Sequence, residues 1–96
     1  MRRLMNTGGR GGQINLVAVD KVVAIISPHS APAKRFKDQA REDDRLVDIT
    51  HGGPTRSFII TTDNHVILSN VSVTTLAKRF QREDGPGQAP EEPDNQ

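Results

Sequence analysis

Apolar residues follow a strand pattern through much of this chain. Alternating or continuous runs of Val, Ile, Leu and Phe occur at 13–19, 22–26, 46–50, 56–62 and 65–71. Such runs, when bounded by Gly, Pro, Asn and Asp, are typical of short β-strands. Asp63 and Asn64 separate the last two runs, and both residue types tolerate the positive φ of a two-residue turn. The sequence therefore predicts that these two strands pair as a hairpin.

Two further segments have the period of an amphipathic helix. The first is predicted from a Ser30 N-cap to about Asp43, and the second from Val73 to about Arg82. The three Phe residues, at 36, 58 and 80, are all predicted to be core residues. The predicted apolar faces of the two helices consist of Ala33, Phe36 and Ala40 in the first, and Val73, Leu76, Ala77 and Phe80 in the second.

The order of these elements indicates an α+β fold with a small, mostly antiparallel sheet and two helices. The continuous apolar run at 22–26 is typical of a strand that is buried on both faces. One face can meet a helix, whereas the other needs a second layer. That layer is either another part of the chain or another copy of it.

Composition divides the 96 residues into a small domain and two ends. Residues 1–12 are basic and Gly-rich and are predicted to be flexible, and residues 13–82 form the domain. Residues 83–96 hold five acids, three prolines and no base, so they are predicted to be a disordered acidic tail. Because so small a core supplies only about 3–5 kcal/mol, oligomerisation is expected.

The net charge of +1 hides an uneven distribution of charge. Residues 1–82 contain all 13 Lys and Arg but seven acids, which gives +6, and the tail contributes −5. A basic body with an acidic tail indicates a polyanion partner with which the tail competes, although ordinary solubility explains the same split. The absence of Trp and Tyr argues against single-strand readers and favours duplex DNA held through its backbone.

Several classes of function find no support in the residues. There is no cysteine, no apolar run long enough for a membrane span, and no secretory signal, so a cytoplasmic location is expected. His29, His51 and His65 have no metal-site spacing. His65 is interpreted as a residue that bonds its own turn. The sequence predicts no enzyme, metal, cofactor or small-molecule substrate.

The segment between the predicted strands at 46–50 and 56–62 holds the candidate binding residues. Gly52, Gly53 and Pro54 do not form a phosphate loop, since the required lysine and helix are missing. Arg56 either reaches a phosphate or base edge, or protects an edge strand from aggregation. Asp48 is a buried acceptor for backbone N–H groups, a partner for another subunit's arginine, or a solvent-facing residue.

Dispersed blocks of residues form an ordered series across about 12–80. The blocks are Val23–Ser27 with Pro28, Ser30-Ala31-Pro32, Lys34-Arg35, Ala40-Arg41, Leu46-Val47-Asp48, Thr50, Gly52, Thr55, Arg56, His65-Val66 and Leu68-Ser69. In this order they resemble the extracellular matrix regulatory protein family, which is also called RemA-like. The resemblance implies a bacterial DNA-binding regulator that activates biofilm-matrix operons. It also implies a closed ring of identical subunits with DNA on its basic outer surface.

Two adjacent positions depart from the pattern of that family. Two arginines, the family's main DNA contacts, are expected after Gly52, and this chain has Gly53 and Pro54 instead. The first hypothesis is a DNA-binding regulator that uses other cations. The alternative is a ring-forming scaffold that binds protein partners and has lost DNA binding. The candidate DNA-binding cations are Arg56, Lys21, Lys34, Arg35 and Arg10, together with Arg2 and Arg3.

Overall fold

The computed structural model describes residues 3–8 and 14–81. Arg10, Arg2 and the acidic tail lie outside these residues. A single 3₁₀ turn, Val19–Lys21, links the second and third strands. The elements in chain order are β1 (Leu4–Asn6), β2 (Leu16–Ala18), β3 (Val22–Ile26), α1 (Ala31–Glu42), β4 (Leu46–Asp48), β5 (Ser57–Thr61), β6 (Val66–Ser69) and α2 (Val73–Gln81).

The main sheet has four strands in the order β3-β5-β6-β4, and β1 and β2 form a separate two-stranded sheet. The pairs β3–β5 and β5–β6 are antiparallel, whereas β4 lies parallel to β6. The helix α1 returns the chain to the end of the sheet where β3 begins, so β4 runs in the same direction as β3. The α+β class, the two helices, the mostly antiparallel pairing and the β5–β6 hairpin are thus confirmed.

The hairpin loop is longer than predicted. Thr61 N–H donates to the His65 carbonyl (3.0 Å), and Asn64 N–H donates to the Thr61 carbonyl (2.9 Å). Three residues, 62–64, therefore form the loop, and of these Asn64 alone has a positive φ, 66°. A three-residue loop that ends in a left-handed residue is the common alternative to the two-residue turn.

The hydrophobic core occupies both faces of the main sheet. On one face Ala33 and Ala40 of α1 pack against Phe58, Ile60, Val66 and Leu68. On the other face Met5, Ile59, Val71 and Leu76 form a second cluster, to which Phe80 is adjacent. Side chains alternate between the faces of a strand, so β5 sends Phe58 and Ile60 to α1 and Ile59 to α2. All five residues of β5 are buried.

The strand β1 was not predicted from the sequence. It lies within the segment 1–12 that was expected to be flexible, and it pairs with β2 through the register Met5↔Val17. Met5 is buried in the second core cluster, and Arg79 of α2 donates to the Asn6 carbonyl at 2.8 Å. A three-residue strand next to a Gly-rich run carries too short a pattern to be recognised.

The prediction that all three Phe residues are core residues is wrong for Phe36, whose side chain is 44% exposed. Both Ala33 and Ala40 are buried, and Lys37 lies between them along the same side of α1. These small alanines allow the helix to approach the sheet closely. Phe36 therefore lies at the margin of the contact rather than at its centre.

Replacing Leu76 by Ala is expected to lower the free energy of unfolding by about 2–5 kcal/mol, because the Leu76 side chain is fully buried. Leu16→Ala is the matched control, since Leu16 is 55% exposed, and we expect it to cost less than about 0.5 kcal/mol. Urea denaturation of both variants measures the difference. Equal losses would contradict the assignment of Leu76 to the core.

Candidate nucleic-acid interface

The candidate cations within residues 14–81 lie at two opposite ends of the main sheet. We name them the hairpin end, formed by Lys21 and residues 62–65, and the loop end, formed by residues 49–56. Thr62 N–H donates to the Lys21 carbonyl at 2.8 Å, which fixes Lys21 at the hairpin end. Arg56 N–H donates to the Ser69 carbonyl at 2.8 Å at the loop end. At about 3.3 Å per residue along β5, these two positions are roughly 20 Å apart.

The loop end carries three of the predicted cations. Arg56 is exposed just before β5. Since β3 ends at this side of the sheet, with Ile26 opposite Phe58, α1 also begins here. Lys34 and Arg35 are exposed in the first turns of that helix. The fold thus brings Arg56, Lys34 and Arg35 to one end of the subunit and leaves Lys21 at the other.

The N-terminus of α1, which lies at the loop end, is capped by the residue that precedes the helix. Ser30 is the N-cap, and its hydroxyl accepts a hydrogen bond from Ala33 N–H at 3.1 Å. Pro32 fits the first turn, where its missing N–H costs nothing. The predicted N-cap is confirmed, and it fixes the point from which Lys34 and Arg35 project.

A tight turn shapes the loop between β4 and β5. Gly53 N–H donates to the Thr50 carbonyl at 2.9 Å, and the two residues between them, His51 and Gly52, have φ values of 53° and 81°. Two central residues with positive φ define a type I′ turn. A Cβ at Gly52 would meet nothing within 4 Å, so the backbone angle alone favours glycine there.

Three side chains hold this loop in place. Thr50 is buried, and its N–H and hydroxyl both donate to the Asp48 carboxylate, at 2.9 and 2.7 Å. The Asn70 amide donates to the Thr50 carbonyl at 3.1 Å. The Thr50 hydroxyl and then its N–H lower the pKa of Asp48 below its usual range. We call Asp48, Thr50 and Asn70 the loop clamp.

The loop clamp answers the question that the sequence left open for Asp48. Its side chain accepts a backbone N–H, as one of the alternatives had it, but it is exposed rather than buried. Sequence analysis did not identify Thr50 and Asn70 as members of this arrangement. The Asp-x-Thr spacing is the signal that was available for Thr50, since Asp side chains commonly bond the backbone two residues on.

Gly53 is the last residue of the turn, and Pro54 follows it on the way to β5. Pro54 is exposed and Gly53 is half-buried. Among the described glycines, Gly52 is the one with positive φ, so the backbone at Gly53 suits other residues. The loop therefore places positions 53 and 54 beside Arg56 without depending on their side chains.

The hairpin end has its own hydrogen-bonded network. The Thr61 hydroxyl donates to the Asp63 carboxylate at 2.6 Å, and Nδ1 of His65 lies 3.0 Å from the same oxygen. The Thr61 hydroxyl, followed by His65, lowers the pKa of Asp63 to about 2. Arg45 donates to the Asn64 carbonyl from the start of β4. His65 thus bonds its own turn, as predicted.

An open groove of about 500 Å³ lies beside Lys21 on the face of the sheet that carries α2. Val47, which is 41% exposed, belongs to its apolar wall. The groove is lined by Ala18, Lys21, Val47, Thr61, Thr62, Asp63, His65 and Ile67.

In 3–8 and 14–81, no group of three His, Asp or Glu side chains converges on a point that could hold a metal ion. Neither α1 nor α2, the helices of the described chain, is long and apolar enough to cross a membrane.

Residues 10–80 match the family of RemA-like proteins, described as extracellular matrix regulatory protein A-like. The chain belongs to this family. The match spans all the described strands and helices from β2 onward to Phe80, so the loop end and the hairpin end both fall inside it.

Curated relatives of this RemA-like chain carry the provisional name of regulatory protein. One from Fervidobacterium nodosum is 50% identical over 66 residues, which is 69% of this chain and 71% of that protein. One from Thermotoga maritima is 52% identical over 66 residues, or 69% and 72% of the two chains. One from Oleidesulfovibrio alaskensis is 45% identical over 83 residues, or 86% and 94%. Family and relatives point to a regulatory protein rather than an enzyme.

Replacing Asp63 by Asn should destabilise the protein at neutral pH and have little effect near pH 2. Because the pKa of Asp63 is lowered from 3.8 to about 2 in the folded protein, its carboxylate stabilises the fold above about pH 4. That contribution is lost as the pH falls through about 2. Melting temperatures of wild type and Asp63→Asn between pH 7 and 2 test this, and a constant difference down to pH 2 would contradict it.

Proposed function

We propose that this protein is a cytoplasmic regulator of transcription, of the biofilm-matrix type, that binds duplex DNA through its phosphates. The observation that carries the proposal is the set of exposed cations at the two sheet ends: Lys21 at one, and Arg56, Lys34 and Arg35 at the other. Affinity for duplex DNA depends chiefly on the number of phosphates that such side chains neutralise.

The spacing of the cations suits backbone contacts rather than base reading. The two ends are roughly 20 Å apart, which corresponds to about six base pairs at about 3.4 Å per step. Each end would therefore meet a different set of phosphates along one duplex. Phe58 is buried in the core and Phe36 is the one markedly exposed aromatic side chain among the described residues, whereas proteins that bind single strands stack successive bases on several exposed aromatics.

We also propose that the subunits form a closed homo-oligomeric ring. The sheet has two unpaired edges, β3 and β4. Val23 on β3 is 63% exposed and no residue of this apolar strand is fully buried, while Val47 on β4 is 41% exposed. Exposed apolar edges are normally covered. A contact between β3 of one copy and β4 of the next is head-to-tail, and such contacts generate rings when the rotation closes.

The second candidate function is a ring-forming scaffold that binds protein partners. Gly53 and Pro54 favour it, because they stand where the family resemblance leads us to expect two DNA-contacting arginines. The loop clamp holds these two positions at the loop end. Arginines at 53 and 54 would add their positive charges to that of Arg56. Two missing cations in every subunit would be multiplied around a ring, with a large loss of affinity for DNA.

Fluorescence anisotropy of a labelled duplex, titrated with protein over a salt series, tests the DNA proposal. We expect binding with a steep negative slope of log K against log salt. Arg56→Ala should weaken it and reduce the slope by about one for each phosphate that the variant no longer neutralises. Arg41→Ala is the matched control, since Arg41 is an exposed arginine that pairs with Asp38 at 3.4 Å.

Gly53→Arg combined with Pro54→Arg separates the two candidate functions. The backbone at 53 accepts other residues, and Pro54 has no N–H to lose, so we expect the variant to fold. If wild type binds DNA, the variant should bind it more tightly and with a steeper salt slope. Absence of wild-type binding at low salt, with binding gained by the variant, would reject the DNA proposal and favour the scaffold.

Replacing Val23 by Lys should dissociate the proposed ring, because it puts a charge on the exposed side of the β3 edge. Light scattering coupled to size-exclusion chromatography measures the mass of wild type and variant. Thr74→Lys is the control, since Thr74 is exposed on α2. A monomeric wild type, or a Val23→Lys protein that keeps the wild-type mass, would contradict the proposed interface.

A further inference from the structure

The described chain ends with α2, whose Phe80 packs against the same core cluster as Val19 and Val22, the two residues that flank Lys21 in that cluster. The helix α2 ends at Gln81, and the preceding carbonyl, of Phe80, accepts a hydrogen bond from the Arg3 guanidinium. The Arg3 carbonyl in turn accepts from Val19 N–H at 2.9 Å. Val19 opens the single 3₁₀ turn that ends at Lys21. Two hydrogen bonds, both made by Arg3, therefore connect the end of α2 to the turn that ends at Lys21.

Lys21 is well placed to receive an anion. Its side chain is exposed, and it takes part in none of the ion pairs among residues 3–8 and 14–81. It also lines the open groove of about 500 Å³, whose other walls include Thr62 and Ala18. The Asp63 carboxylate, which also lines this groove, bonds Thr61 and His65 and makes no ion pair with Lys21.

The segment that follows α2 has the opposite charge. Residues 83–96 carry five acids and no base, and the first two acids, Glu83 and Asp84, come two and three positions after Gln81. At no more than about 3.6 Å per residue, these two carboxylates remain within about 11 Å of the helix end along the chain. The cations of the loop end lie beyond the opposite end of β5 from Lys21. Tethering at such short range gives a local concentration in the millimolar range.

We propose that residues 83–96 dock on Lys21 and the adjoining groove, where they act as a tethered polyanion that competes with DNA. The inference rests on the proposed function for its consequence but not for the docking itself. The tail and Lys21 have opposite charges, and the hydrogen-bonded link from α2 to the turn that ends at Lys21 favours this cation over those of the loop end. The tail would therefore weaken DNA contacts at the hairpin end and leave those of Arg56, Lys34 and Arg35 unchanged.

Paramagnetic broadening in NMR spectra tests the docking without any DNA. The chain has no cysteine, so Gln88→Cys provides a single site for a nitroxide label. At low salt we expect broadening of the amide signals of Lys21 and Thr62, with those of Thr55 and Arg56 unaffected. The broadening should decrease in 0.5 M salt, because salt screens exposed charges. No broadening, or equal broadening at both ends, would overturn the docking.

Two charge variants of the labelled protein sharpen this test. The first neutralises the tail by Glu83→Gln, Asp84→Asn, Glu91→Gln, Glu92→Gln and Asp94→Asn. The second is Lys21→Gln, with Arg41→Gln as its control. We expect the neutral tail and Lys21→Gln to remove the broadening at Thr62, and Arg41→Gln to retain it. Circular dichroism confirms that each variant is folded, and unchanged broadening in Lys21→Gln would reject Lys21 as the docking residue.

Duplex binding by full-length protein with the neutral tail measures the consequence. At 50 mM salt we expect affinity to increase about three- to tenfold over wild type, and at 300 mM the gain should largely disappear. DNA binding that is unaffected by the neutral tail would overturn the competition and leave the DNA proposal intact. Broadening at Lys21 in a protein that binds no duplex would reject the DNA proposal and retain the docking.

Discussion

The burial of β5 on both faces is the constraint on which the rest of the subunit depends. A strand buried at every residue must be covered by α1 on one side and by α2 and β1 on the other, and its two neighbours β3 and β6 complete its hydrogen bonds. Charged residues are thereby excluded from both faces of the sheet centre. They collect where strands begin and end, which is why Lys21 and Arg56 stand a strand length apart.

The same constraint explains why the subunit looks incomplete by itself. Once both helices and β1 have covered β5, no other strand among residues 3–8 and 14–81 pairs with the outer edges of β3 and β4. Val23 and Val47 are left partly exposed on opposite edges of the sheet. In a protein with so small a core, this exposed apolar surface contributes nothing to stability. A neighbouring copy would bury these edges and extend the sheet, so assembly and stability are coupled in the proposed ring.

Much of the fold could be predicted because its signals are local. All four strands of the main sheet, the strand β2 and both helices follow from periodicity, and the Ser30 cap follows from residue type. The exposure of Phe36 could not be predicted, because helical spacing permits it while the close approach of Ala33 and Ala40 fixes the rotation of α1. The individual cations can be read from the sequence. The distance between Lys21 and the cations of the loop end depends on the order and direction of the strands, which the sequence does not show directly. The loop clamp joins Thr50 to Asn70 across 20 residues, a relation that no local pattern carries.

The loop clamp separates the shape of the β4–β5 loop from the side chains that the loop displays. Asp48, Thr50 and Asn70 hold the turn through hydrogen bonds that do not involve the side chains of residues 53 and 54. Mutation at these two positions can then alter surface charge at small cost to folding. Few substitutions at positions 53 and 54 would therefore be needed to gain or lose affinity for a polyanion. The residues that maintain the fold could be conserved independently of these two.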